Sequence, residues 1–299
     1  MGLPLYSQII QYILSGITIG SVYAIIAIGF NIIYNSTSII NFAQGEFVML
    51  GGLIMILFTV MLKFPLVLGF LLTVLILTLV GIIMERFAIS PIKKPTVVTL
   101  IIVTIAVSIL FKGIAMLIWG KDTHFLPPFS GEKGIAFIGA SLNPQYIWIV
   151  GITVIVVVLL SIFFKYTIIG KAMTACAVNR TAASLMGINV KRMVLLSFAL
   201  SAAIGGIAGI IITPITLMAY DNGAILGLKG FGAAVLGGLG NFYGAIFAGL
   251  LLGIMESLGA GLIHSGYKDA IALLVLLLVL FIKPSGIFGV TEISEFKKF

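Results

Sequence analysis

Few residues in this sequence ionise, attack or ligate, and their positions narrow the chemistry. Its 299 residues include seventeen Lys and Arg, nine Asp and Glu, two His and one Cys. Glu46 and Glu256 fall inside long apolar stretches, while Glu85, Asp221 and Asp269 stand near the ends of others. A carboxylate buried in such surroundings is costly, so it marks a polar route, a gate or a hydrogen-bonded structural joint. Glu46 closes the polar run Asn41-Phe42-Ala43-Gln44-Gly45-Glu46. This makes Asn41, Gln44 and Glu46 candidates for lining a pathway; in the competing reading, Glu46 bonds the freed backbone N–H groups of an interrupted helix. Glu256 is expected to pack or snorkel near the outer end of its helix. Lys229 lies in the glycine-rich run 228–240 and reads equally as an anion contact or as an interface lysine. With Gly232, Gly237 and Gly238 it completes the candidate pathway set.

Other chemistry is excluded by motif. His124 and His264 lie in separate connections and offer no metal spacing. The sequence holds no H-E-x-x-H, no G-x-S-x-G and no G-x-x-x-x-G-K-[ST]. Zinc-peptidase and serine-hydrolase chemistry of those classes is therefore not expected, and any ATP must be bound by another subunit. Cys176 is alone, so no internal disulfide forms.

The elements that position these groups follow from hydropathy. Hydrophobic residues make up 61% of the chain and charged residues 9%, with a mean hydropathy of +1.28. Soluble domains carry about 25% charged residues, so this is a polytopic membrane protein. A soluble enzyme or a nucleic-acid-binding domain is excluded. Apolar runs near the 20 or so residues needed to cross a bilayer predict helices over 12–33, 66–84, 97–117, 146–164, 193–213 and 268–282. Two stretches, 42–62 and 228–261, are too polar or glycine-rich for simple spans and are read as broken, re-entrant segments. Lys165, Lys171, Arg180, Lys191 and Arg192 fill the connection 165–192 without an acid. Arg86, Lys93 and Lys94 add to one neighbouring loop, and Lys283, Lys297 and Lys298 to the tail. The positive-inside rule places all of these in the cytoplasm and places 120–145, where Lys121, Asp122, Glu132 and Lys133 cancel, outside.

A weak internal repeat organises the spans. Ser15, Gly20, Ile25 and Ile26 match Ser201, Gly206, Ile211 and Ile212, and Leu50-Gly51-Gly52-Leu53 matches Leu236-Gly237-Gly238-Leu239 at the same offset. This predicts one domain over 1–299 built from two parallel halves, about residues 5–96 and 193–290, with both termini cytoplasmic. Gly16/Gly20 and Gly205/Gly209 are G-x-x-x-G pairs, read as helix-packing positions.

The connection 165–192 carries a more specific signal. Thr181-Ala182-Ala183-Ser184-Leu185-Met186-Gly187 resembles the E-A-A-x-x-x-G coupling loop of ABC-importer permeases, with Thr181 in place of the glutamate and no downstream I-x-L-P. Small residues at Ala182 and Ala183 would seat a short helix in a partner's groove, and Gly187 would end it in the left-handed conformation. Around this loop, INFAQGEF (40–47), Met186-Gly187-Ile188-Asn189, GLKGFGAAVLGGLGNFYGA (227–245) and KPSGIFG (283–289) are similar to the permeases of branched-chain amino acid ABC transporters. The likeness runs from about Tyr12 to Gly289 and favours the first of that system's two related permeases.

The resemblance implies an all-α fold of the second class of ABC importers, with about ten segments long enough to cross or enter the bilayer. It implies a bacterial or archaeal inner-membrane location and a second homologous permease as partner. Two cytoplasmic ATPases, which bind ATP and Mg, and an extracytoplasmic binding protein complete the system; the chain itself holds no cofactor. Thr181, Ala182, Ala183, Gly187, Ile188 and Asn189 would then form the ATPase-coupling loop. Leucine, isoleucine or valine is the implied cargo, with urea or short amides as the alternative. From the residues alone, a self-contained ion-coupled transporter also stays open, and so does a membrane-bound enzyme, although no clustered catalytic set supports the latter.

Overall fold

The computed structural model describes residues 5–92, 96–131, 134–137 and 140–289. Lys93, Lys94, Glu132, Lys133, Lys297 and Lys298, which entered the charge argument, lie outside the described residues. The chain forms α1 (Leu5–Thr37), α2 (Gln44–Ile56), α3 (Leu66–Met84) and α4 (Val97–Trp119), then a hairpin of β1 (Ile135–Phe137) and β2 (Ala140–Leu142). It continues with α5 (Pro144–Tyr166), α6 (Ile168–Val178), α7 (Arg180–Leu185), α8 (Val190–Ile212), α9 (Asn222–Gly237), α10 (Phe242–Leu262) and α11 (Lys268–Ile282). A π-helical turn, Leu57–Met61, carries α2 on without a break, and another, Glu85–Ile89, extends α3. Side-chain caps set several starts: Thr96, Asn143, Asn189 and Asn241 each accept a backbone N–H from the first turn that follows.

Contacts between helices fix their directions. Along α1, Gly16 and Gly20 meet Gly253 and Gly249 of α10 and Asn31 meets its cap, Asn241, so the two are antiparallel. Gly29 meets Ser201 while Ser36 lies nearer the start of α8, so α8 also opposes α1. Gln44, Gly51 and Gly52 of α2 meet Ser201, Gly206 and Thr213, so α2 runs with α8. The same reading gives α4 parallel to α2, α3 and α5 opposed to α8, and α9 and α11 opposed to α10. Nine membrane helices therefore alternate in direction among the described residues. Eight of the helical stretches are long and apolar enough to cross a bilayer. The ninth, α9, has sixteen residues, about 24 Å at 1.5 Å per residue.

Three expectations change here. The stretch 42–62 does not dip and return: from Gln44 to Met61 it is one continuous helix, largely buried. In 228–261 the break falls at 238–241: residues 228–237 are the latter part of an unbroken α9, Gly238 takes φ +95°, and α10 returns from Phe242. The chain is also interrupted before α2 and α9, in 38–43 and 213–221. With nine alternating helices, Leu5 and Gly289 lie at opposite faces, not on one. Tyr12 packs on Gly261 beyond the middle of α10 toward its end, whereas Gly289 packs on Gly238 beside the start of α10.

The two halves are inverted, not parallel. The series α1-α2-α3 runs opposite to α8-α9-α10, and α1 packs on α10 as α8 packs on α3. The starts of α2 and α9 are 178 positions apart and those of α3 and α10 are 176, while those of α1 and α8 are 185. The matches read from the sequence sit 186 apart, near the α1–α8 spacing but not that of α2 and α9, so Leu50–Leu53 and Leu236–Leu239 are not equivalent positions. Glycine-rich helices repeat small residues for close packing, which accounts for that second match.

The core is α1, α2, α8 and the inner faces of α9 and α10. Leu77 and Gly81 of α3 close it, while α3, α4, α5 and α11 otherwise expose leucines, isoleucines and valines. Backbones approach closely at the glycines: Gly16 and Gly20 against α10, Gly205 against Phe47, and Gly209 against the Val48 carbonyl. These G-x-x-x-G pairs are packing positions.

Candidate functional site

Two places gather the polar groups that the sequence singled out. The first is where α2 and α9 both begin, within the bundle. Asn41 precedes α2, and its Oδ1 accepts the Ala43 N–H at 3.1 Å, which turns the chain into the helix. Gln44 is fully buried and spent on structure. Its Nε2 donates to the Ser201 carbonyl at 3.3 Å, and its Oε1 lies 2.6 Å from the Ser201 hydroxyl.

Glu46 is 1% exposed, in the first turn of α2. Its Oε1 accepts from the Ser108 hydroxyl at 2.9 Å and lies 3.6 Å from the Lys112 ammonium. Its Oε2 points at Gly223 in the first turn of α9 and has no hydrogen-bond partner among the described residues; the Asn41 amide nitrogen is likewise buried and unpaired among them. The carboxylate thus faces the positive ends of two helix dipoles, α2 and α9, which favours a negative charge there. Beside it lies a cavity of about 290 Å³, bounded by Phe30, Phe42, Phe231, Ser108 and the glycines Gly223 and Gly227.

Lys229 is not part of this cavity. It sits halfway along α9, on the side facing α10 and α11, with its ammonium 2.8 Å from Glu256 Oε1, 2.6 Å from Asp269 Oδ1 and 5.6 Å from the Tyr23 ring centre. Glu256 is fully buried; it also accepts from the Tyr23 hydroxyl at 2.9 Å and pairs with Lys268 at 3.2 Å. Two acids and two bases balance, so Glu256 is neither snorkelling nor free. Gly232 borders a smaller cavity on this same side. Gly237 presses on Gly244, and Gly238 on Gly289, at the far end of α9. Of the candidate pathway set, the structure brings Asn41, Gln44 and Glu46 together and separates Lys229, Gly232, Gly237 and Gly238 from them.

The second place is the face bearing α6 and α7. Thr167 caps α6 through the Gly170 N–H at 2.9 Å, and Asn179 caps α7 through the Ala182 N–H at 2.9 Å. Gly187 takes φ +84°, the Ile188 N–H donates to the Ala183 carbonyl, and the Gly187 N–H to that of Ser184. This is the glycine-ended stop that satisfies the last carbonyls of a helix. Asn189 then caps α8. Thr181 and Ala182 face solvent, while Ala183 turns inward. The hairpin is tied to the bundle by Arg180, which donates to the Ser36 carbonyl; burial lowers that guanidinium's pKa from its ordinary value.

Val178, Leu185 and Met186 are each more than 80% exposed, an apolar patch on a basic surface of Lys165, Lys171, Lys191 and Arg192. Sequence reasoning concentrated on the small residues and missed Leu185 and Met186, whose exposure follows from Ala183 facing in. It also missed Ser108 and Lys112, spaced i, i+4 on α4, where Lys112 is the lone cation in an apolar helix.

An all-helical bundle with inverted halves, a buried carboxylate where two helices begin, and an exposed basic hairpin defines a polytopic permease-type membrane protein. The family model described as branched-chain amino acid transport system / permease component matches residues 12–280, and the chain belongs to that family. It is 34% identical over 304 residues to the high-affinity branched-chain amino acid transport system permease protein LivH of Salmonella typhimurium, covering 96% of this chain and 97% of the relative. It is 31% identical over 308 residues to the corresponding protein BraD of Pseudomonas aeruginosa, covering 98% and 100%. Among solved structures, PsaBC from Streptococcus pneumoniae in complex with Fab aligns with a TM-score of 0.47 and 16% identity over 94% of this chain and 92% of that one.

Proposed function

We propose that this chain is the permease subunit of an ATP-driven importer of branched-chain amino acids. It works with a second permease, two cytoplasmic ATPases and an extracytoplasmic binding protein. The observation that supports this most is the capped α6–α7 hairpin. It projects Leu185 and Met186 from the bundle at a surface rich in cations, and an exposed apolar patch rimmed by charge is a docking surface. The described basic residues there support a cytoplasmic α6–α7 face. Leu5 then starts outside, and Gly289 ends inside.

Family membership supports the cargo and the energy source. The chain has no nucleotide motif of its own, so ATP and Mg belong to the partner ATPases. Asn41 and Glu46 lie on the proposed pathway, where α2 and α9 start. The test is uptake of labelled leucine in cells carrying the full system and in cells lacking the ATPases. Uptake that survives loss of the ATPases but collapses with the ion gradient would replace this reading by an ion-coupled transporter.

A further inference from the structure

The cavity beside Glu46 has features that close packing does not require. Glu46 is buried with one oxygen unpaired, although two residues away Gln44 satisfies both its oxygen and its nitrogen within the bundle. Its ionic partner among the described residues, Lys112, stands at 3.6 Å and is 30% exposed, so the contact is loose and the lysine can swing outward. The opposite wall is aromatic: Phe231 lies 5.7 Å from Phe30 and 5.9 Å from Phe42, ring centre to ring centre. Near 290 Å³, the space is at the lower end of small-molecule pockets.

We propose that this cavity is a binding site for the zwitterion of an aliphatic α-amino acid. The ammonium takes Glu46 Oε2 and the carboxylate takes Lys112. The aliphatic side chain lies against Phe30, Phe42 and Phe231. The proposal rests on the import reading above but goes further, because it puts selection within this chain rather than in the binding protein alone. Charge balance sets the ligand class. Glu46 and Lys112 offset each other, with the exposed Asp221 also acting on Glu46 from the start of α9; a zwitterion between Glu46 and Lys112 makes two ion pairs and leaves the total unchanged. An amine alone would displace Lys112 and leave it unpaired, and an acid alone would leave Glu46 without its cation, each a buried charge at a cost. Gly223 and Gly227 let α9 lie directly against Gly45 and Glu46 at this height, since a Cβ on either would meet them.

Ala224 is exposed and borders the cavity, so it reports occupancy. In membranes from cells expressing the full system, with Cys176→Ser and Ala224→Cys, L-leucine should slow maleimide labelling of residue 224. Isoamylamine and 4-methylpentanoate should each protect about tenfold more weakly, the loss of one charged contact. Glu46→Gln should abolish protection by leucine. Lys112→Met, at a partly exposed position less able to disturb folding, should shift preference toward isoamylamine. Leucine uptake is measured in the same cells. Normal uptake with no protection by leucine, or equal protection by isoamylamine in the unmodified site, overturns the zwitterion site and leaves the import function standing. Protection without uptake keeps the site and removes the import reading, and loss of both removes the two together.

Discussion

Gly45 and Gly223 meet backbone to backbone where α2 and α9 begin. The two positions are equivalent in the inverted halves, so this contact lies on the axis relating them. A Cβ on Gly45 would fall on the Gly223 carbonyl, with the Gly227 Cα only 2.7 Å away. Backbone on both sides cannot yield. Gly45→Ala should therefore destabilise the fold by about 1–3 kcal/mol, the usual cost of overpacking. Gly151 has open space around it, and Gly151→Ala should be neutral or raise stability by about 1 kcal/mol through helix propensity. Thermal unfolding of the two purified variants, followed by loss of the monodisperse peak, makes the comparison. Equal melting points would remove the close approach as a constraint.

Length and type of the elements were legible in the sequence, and direction was not. The predicted 66–84 and 268–282 coincide with α3 and α11, because uniform apolar runs end at charges or polar turns. Ends were misjudged where polar residues continue a helix, as with Tyr6, Ser7 and Gln8 at the start of α1. Hydropathy carries no sign along the chain, so α2 and α9 read as re-entrant when each is one-way. Glu46 and Asn41 were legible because polar residues in an apolar run must be accommodated. The Lys229–Glu256 pair was not legible, since the partners lie 27 positions apart on different helices. Two opposite charges in neighbouring apolar runs were the available signal.

That pair carries its own prediction. Glu256 is buried and bonded by Tyr23, Lys229 and Lys268, and Lys268 and Asp269 open α11, a helix otherwise mostly exposed. Lys229→Met leaves Glu256 and Asp269 short of a cation and should cost about 3–5 kcal/mol, as removing one partner of a buried pair does. Tyr23→Phe loses one hydrogen bond to a charged group and should cost about 1.5–3 kcal/mol. The double change Lys229→Met with Glu256→Gln should recover part of the loss. Protease cleavage after α10 provides the readout, because α11 should release first. Unchanged cleavage in Lys229→Met would show that α11 is held by apolar packing alone.

The proposed coupling hairpin separates two effects. Gly187 has nothing near its missing side chain, so substitutions there act through the positive φ alone. Gly187→Asn, which tolerates that region, should keep assembly, whereas the β-branched Gly187→Val should weaken it by more than the 1–2 kcal/mol or so of left-handed strain. Leu185→Asp leaves the backbone untouched and instead places a charge in the docking patch. It should abolish co-purification of the ATPases while the permease stays folded and inserted. Full co-purification with Leu185→Asp would move the docking surface elsewhere.

Topology is tested at two engineered cysteines, because the native one is a poor probe. Cys176 is 1% exposed on the inner side of α6, and burial raises its thiol above the usual range. Less thiolate forms at neutral pH, so labelling should be slow from either side of the membrane and should accelerate only above the ordinary thiol pKa. With Cys176→Ser, Leu185→Cys and Tyr6→Cys both present exposed thiols, the first on α7 and the second in the first turn of α1. An impermeant maleimide should label Tyr6→Cys in intact right-side-out cells and Leu185→Cys in inverted vesicles. Labelling of both variants from the same side would mean that α2 fails to count as a crossing, and the inverted relation between the halves would fall with it.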